Sequence, residues 1–132
     1  MQEILTIQVN IAETFAVKGK TAEVAVVTFD GYCDCENFKG KILPGGVDCQ
    51  KECYPQARRL SARYILEGID KEEKACRIFI ENKGEVNKNG MVETTIPEII
   101  TDSTCLSWME RARLFGTITP REAGITIHIF SD

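Results

Sequence analysis

Residues 124–130 read Gly124-Ile125-Thr126-Ile127-His128-Ile129-Phe130, and this stretch decides the fold class. Ile125, Ile127 and Ile129 fall on one face; Thr126, His128 and Phe130 fall on the other. That is the period-2 pattern of a strand with one buried side, built from β-branched residues that pack well on a pleated surface. The same texture recurs upstream in short runs. Residues 3–9 and 22–30 read as strands joined across Lys18-Gly19-Lys20. Residues 59–69 carry the Leu and Ala of a helix, but Tyr64, Ile65 and Ile69 favour a strand. The charged stretch Asp70–Lys74 then leads into Cys76–Glu81, which makes a hairpin ended by Asn82-Lys83-Gly84. Asn89-Gly90 is a tight-turn signal ahead of a strand over 91–100. Ser107-x-x-Glu110 matches a capping box, which predicts a helical turn near 103–109 and a strand from about 110 to 118.

The segment from Phe38 to Asp48 reads as a strand, 36–43, running into a glycine-rich turn with a carboxylate at its exit. Pro44 presets φ for the first corner, and Gly45 can take the positive φ that a type II turn requires. Gly40 inside the strand marks a bulge or a close approach of another backbone or a ligand. Short strands with turns roughly every ten residues imply an all-β fold. About eight strands in one meandering chain favour a single closed or nearly closed antiparallel β-barrel, which removes exposed edges. No repeat, linker or low-complexity segment divides residues 1–132, so the expectation is one domain.

The net charge of −4, with basic residues scattered among acidic ones, argues against nucleic acid as a partner. No apolar run approaches the ~20 residues of a membrane helix, and the N-terminal residues lack a signal-peptide pattern; the expectation is a cytoplasmic protein without a membrane partner. Of six cysteines, at 33, 35, 49, 53, 76 and 105, most then read as buried small hydrophobes rather than a disulfide framework. Cys33-x-Cys35 and Cys49-x3-Cys53 invite a zinc reading, but neither has the C-x2-C spacing of common structural sites. The expectation is no metal. Gly45-Gly46 lacks the Lys-Ser/Thr of a phosphate loop and no dinucleotide fingerprint is present, so no cofactor is expected.

Three blocks carry a family resemblance: Phe38-x-Gly40-x-Ile-Leu-Pro-Gly-Gly-Val-Asp48, Leu60-x-Ala62-Arg63-Tyr64, and Trp108-Met109-Glu110-Arg111 with Leu114-Phe115-Gly116. Ile80-Glu81-Asn82-x-Gly84 sits between them. In this order, over nearly the whole chain, they resemble the bacterial and fungal family called domain of unknown function 3237, also uncharacterised protein family 0311. The resemblance implies a small calycin-like or allene-oxide-cyclase-like barrel and no established activity. Cys49 stands where the family often has an aromatic, and Glu110 where it often has Asn. If that position lines a pocket, Glu110 changes its charge.

Asp48 and Glu110 are the candidate catalytic carboxylates. Asp48 is either a cap on its turn or a general base presented by a rigid corner. Arg63, Tyr64, Glu81, Asn82 and Trp108 are the candidate ligand-binding residues. An Arg–carboxylate pair with a tyrosine hydroxyl can anchor a carboxylate or enolate, or move a proton; alternatively Arg63 forms a rim ion pair and Tyr64 is core. Leu60, Ala62, Tyr64 and Leu66 form the more apolar face of their strand, so Arg63 and Tyr64 point opposite ways. Asn82 can instead close its hairpin. Trp108 either stacks on a flat ligand or plugs the core. His128, the single histidine, reads as an outward or pocket-wall residue. The expected function is binding of a small organic ligand in the barrel interior. The alternatives are a cofactor-independent isomerase, cyclase or lyase in that cavity, and a filled barrel acting through its surface. A homodimer is the default assembly.

Overall fold

The computed structural model describes all residues, Met1–Asp132. Nine strands form one antiparallel sheet: β1 (Gln2–Lys18), β2 (Ala22–Asp34), β3 (Phe38–Ile42), β4 (Val47–Cys53), β5 (Arg59–Asp70), β6 (Ala75–Glu85), β7 (Thr95–Thr101), β8 (Leu114–Arg121) and β9 (Gly124–Ser131). The sheet closes because β1 pairs with both β9 and β2. The only helical element is a 3-10 turn at Ser107–Glu110. The expected all-β barrel is therefore present.

Nine strands make eight staves, because β3 and β4 are two halves of one. Both lie between β2 and β5, and both run antiparallel to each. Ile42 pairs with Leu66 and Val47 with Arg63, so five steps along this stave match three along β5. The four residues Leu43–Gly46 stand opposite two of β5, Tyr64 and Ile65, and the excess of two is looped out as a bulge. It does not reverse the chain: the strand expected over 36–43 to end in a turn continues beyond it, in the same direction, as β4. A bulge is one of the few places where a sheet tolerates proline. Gly45 has φ +110° as the turn chemistry requires. The Leu43 amide still donates to Ile65 O (2.8 Å), and the Phe29 amide to Gly46 O (3.2 Å). Gly40 marks a close approach instead: a Cβ there would collide with the Glu67–Gly68 backbone.

Other boundaries differ from expectation for local reasons. β1 runs on to Lys18 past an irregularity between Ile11 and Glu13, and residues 11–18 are exposed, so no alternation betrays them. β4 carries mostly half-buried residues and has no apolar stripe. β7 starts at Thr95, not 91, because Asn87 Oδ1 accepts hydrogen bonds from the Asn89 (2.9 Å) and Met91 (3.1 Å) amides and holds that segment in a loop. The capping box does not form. Ser107 Oγ donates to Thr104 O, and the Glu110 carboxylate accepts from the Thr101 amide at 2.8 Å. β8 begins at Leu114 rather than near 110.

The inward faces supply one core. Leu5, Ile7, Phe38, Leu66, Ile78, Ile80 and Ile129 are fully buried. Leu106 and Met109, from the 3-10 turn and the residue before it, are also fully buried and stopper one end of the barrel. Burying each such side chain contributes about 1.5–3 kcal/mol. The two ends of the barrel therefore differ: one is plugged, the other is not.

Candidate functional site

The unplugged end holds a cavity of about 310 Å³. Its wall is apolar, with Val9 and Ile11 from β1, Val27 and Phe29 from β2, and Ile125 and Ile127 from β9 among the residues that line it. Met91 and Val92 of the 86–94 loop border it as well. Two side chains on this wall are polar, Asp48 and Gln50, both on β4. They are two residues apart on a strand, so they face the same way.

Asp48 is poorly satisfied. Its Oδ2 accepts a hydrogen bond from Gln50 Nε2 at 3.0 Å, while its Oδ1 is buried without any partner. Gln50 is held in turn, its Oε1 accepting from Arg58 Nε at 3.3 Å. Arg58 lies 3.7 Å from Glu23 and 3.8 Å from Glu52, which share its charge. Burial raises the Asp48 pKa, and the Gln50 hydrogen bond, the Ser61 backbone and the Arg58 charge only partly offset it. The result is a carboxyl in the wall of an apolar cavity, with one oxygen buried and unpartnered. Such a group can accept a hydrogen bond, or take up and return a proton.

The sequence candidates divide between the two sides of the wall. Tyr64 and Asn82 face inward and are buried, with Tyr64 Oη and Asn82 Oδ1 unpartnered, as is Thr95 Oγ1. Ala62 pairs with both Asp48 and Asn82, so these two polar side chains occupy one row of the sheet, two strands apart. Tyr64 packs edge-on against Phe29, with ring centroids 5.5 Å apart, and burial pushes its phenol above the usual range. Tyr64, Asn82 and Thr95 do not line the cavity itself.

Arg63 and Glu81 pair across β5 and β6 at 3.1 Å, with the arginine side chain 60% exposed. They form an ion pair outside the barrel, away from Asp48. Trp108 is 41% exposed, and its neighbour Met109 is the plug. Glu110 is exposed at the plugged end, fastened to Thr101. His128 faces outward, its Nδ1 2.8 Å from Glu3 and its Nε2 3.1 Å from Thr119. Asp48 is thus the one candidate on the cavity wall. Gln50 and Arg58 escaped the sequence reading; the i, i+2 relation of Asp48 and Gln50 would have exposed the first, had β4 been read as a strand. No three or more His, Cys, Asp or Glu side chains gather in a group able to hold a metal. No helix is long and apolar enough to cross a membrane.

No protein-family model matches the chain, and no curated protein shows detectable sequence similarity to it. Solved structures do match. A protein of unknown function from Clostridium acetobutylicum superposes with a TM-score of 0.82 at 22% identity, over 98% of this chain and 96% of that one. A β-barrel-like protein from Acinetobacter baumannii gives 0.80 at 15% identity, over 98% and 93%. An enzyme from Penicillium herquei gives 0.76 at 14% identity, over 99% and 92%. At these identities the likeness establishes a shared barrel fold and nothing about chemistry.

Proposed function

We propose that this chain belongs to the family called domain of unknown function 3237, and that its barrel binds a small, mostly apolar organic molecule at the unplugged end. The observation that carries the reading is an apolar cavity whose wall holds two polar side chains, Asp48 and Gln50, the Asp48 carboxyl keeping a buried Oδ1 without a partner. A buried polar atom without a partner costs about 1–3 kcal/mol, and a ligand that donates a hydrogen bond to it would recover part of that cost. The volume, about 310 Å³, falls at the small end of the range of ligand pockets, and weighs against a barrel filled solid. The ligand class that fits is an apolar body with one hydroxyl, enol or amine.

One observation favours a second reading, cofactor-independent proton transfer by an isomerase, cyclase or lyase. A carboxyl with a raised pKa is suited to general acid–base work near neutral pH. The Penicillium herquei enzyme indicates that this fold supports catalysis somewhere.

Native mass spectrometry of the full chain recovered from a crude cell extract tests both readings. The expected result is an added mass of an organic molecule that is released by an apolar competitor. Asp48→Asn then separates the readings: retained binding with no conversion of the ligand supports catalysis, and loss of binding supports anchoring. Failure of the cavity to take up either the extract ligand or a fluorescent apolar probe such as anilinonaphthalene sulfonate would overturn both.

A further inference from the structure

The plugged end holds a feature that the cavity does not use. Cys33 is the last inward-facing residue of β2, and Cys35 lies in the bend just after it. Their sulfurs are 3.6 Å apart, in hydrogen-bond contact. All six cysteines are free, and no other two share such a contact. The bend is firmly made: the Cys35 amide donates to Phe38 O at 3.0 Å, and the same carbonyl lies 3.4 Å from the Cys35 sulfur and 3.6 Å from that of Cys33. The two thiols differ in access. Cys33 is 1% exposed, whereas Cys35 is only partly buried. Cys35 is thus the residue of the two that solvent touches, and the buried Cys33 sulfur lies within contact distance of its sulfur.

We propose that Cys33 and Cys35 form a site of reversible oxidation by hydroperoxides, with Cys35 as the attacking thiol and Cys33 as the resolving one. In the first step the Cys35 thiolate attacks the terminal peroxide oxygen. A sulfur–oxygen bond forms, the oxygen–oxygen bond breaks, and the departing alkoxide or hydroxide takes a proton from water. Cys35, oxidised by two electrons, is now a sulfenic acid. In the second step the Cys33 sulfur attacks the Cys35 sulfur. The disulfide forms, the sulfur–oxygen bond breaks, and the oxygen leaves as water carrying the Cys33 proton. The sulfurs have only to close from 3.6 Å to the disulfide length of about 2.05 Å. A dithiol reductant reverses the change by exchange.

The electrostatics agree with this division of labour. The hydrogen bond from Cys33, helped by backbone amides and opposed by burial, lowers the Cys35 thiol to about 6. Sharing that hydrogen bond, together with burial, pushes Cys33 far above the usual thiol range, so it keeps its proton. The lowered pKa therefore falls on the less buried of the two cysteines, as a peroxide-reactive thiol requires.

The test uses the reduced full-length chain, treated with stoichiometric hydrogen peroxide, quenched with N-ethylmaleimide and mapped by peptide mass spectrometry. The expected product lacks two hydrogen atoms, maps to the peptide holding Cys33 and Cys35, and reverts with dithiothreitol, while Cys49, Cys53 and Cys105 remain alkylated. In Cys33→Ser the oxidation should stop at a sulfenic acid on Cys35 that dimedone traps. Because Cys33 is buried and its replacement can impair folding, Cys35→Ser provides the second check: Cys33 should then resist peroxide. A wild-type chain that shows no disulfide, that runs on to a sulfinic acid at Cys35, or that oxidises its other cysteines as fast overturns the proposal.

Discussion

Two aspartates mark the two ends of the barrel, and they are opposites. Asp48 stands on the cavity wall with one hydrogen bond and one bare oxygen. Asp70, at the plugged end and 4% exposed, is fully engaged. Its Oδ1 accepts from the Glu72 (2.9 Å) and Lys74 (3.1 Å) amides, and its Oδ2 from Ser103 Oγ (2.8 Å). Ser103 in turn takes a hydrogen bond from the Leu106 amide (3.3 Å), which ties the β5–β6 turn to the plug. Burial opposes ionisation at both sites. At Asp70 the Ser103 and backbone hydrogen bonds outweigh it and lower the pKa; at Asp48 they do not, and the pKa rises. The same residue type closes the fold at one end and leaves chemistry unfinished at the other. An unsatisfied buried carboxyl persists at a cost to stability, which is why it points to function.

The largest effects are expected at the plugged end. Met109→Ala removes a fully buried side chain from the stopper and should lower unfolding stability by about 2–5 kcal/mol, read from urea titration. A loss below about 1 kcal/mol would mean that the plug is not integral to the core. Asp70→Ala should come next. It strips Ser103 of its buried acceptor and unfastens the plug, lowering the melting temperature by several degrees. The pH dependence has a definite sign. A carboxyl with a lowered folded pKa contributes stability above its ordinary value, and that contribution is lost as pH falls through the lowered value. The wild-type chain should therefore lose its advantage over Asp70→Ala on acidification. A constant difference across that range would show that the hydrogen bonds do not depend on the charge.

This asymmetry was only half legible in the sequence. Strands with a buried and a polar face announced themselves: β5, β6 and β9 alternate clearly because water lies on one side only. The apolar face of β5, Leu60 to Leu66, could be read off directly, and it places Tyr64 inside and Arg63 outside. Where both faces are partly wet the signal vanishes, as in the outer half of β1 and in β4. Missing β4 hid Gln50, and with it the partner that Asp48 has on the cavity wall. The bulge at Leu43–Gly46 could be recognised as turn chemistry, but nothing local tells whether such a corner reverses the chain; that depends on pairing to β2 and β5. Trp108 and Met109 exchange the roles that size suggests, because the 3-10 geometry of their turn, not their hydrophobicity, decides which one faces the barrel.

The smaller effects lie at the open end and test whether it is a binding site at all. Asp48→Asn should stabilise the chain at neutral pH by about 1 kcal/mol, since it removes a charge from a poorly paired buried position. The sign again follows from linkage. A carboxyl with a raised folded pKa costs stability when ionised, and the cost disappears as pH falls from above that pKa to below the unfolded value. The gain from Asp48→Asn should shrink on acidification, opposite to the trend at Asp70. If Asp48→Asn destabilises at neutral pH instead, the carboxylate is structural and the two ends are alike. Met91→Ala should change stability least of all, by under about 0.5 kcal/mol, because Met91 is 65% exposed in a loop. Yet Met91 borders the cavity, so the same variant should weaken uptake of an apolar fluorescent probe several-fold. A substitution that is silent in unfolding but visible in binding is what distinguishes a mouth from a mere gap in the packing; silence in both would leave the cavity without an entrance at this loop.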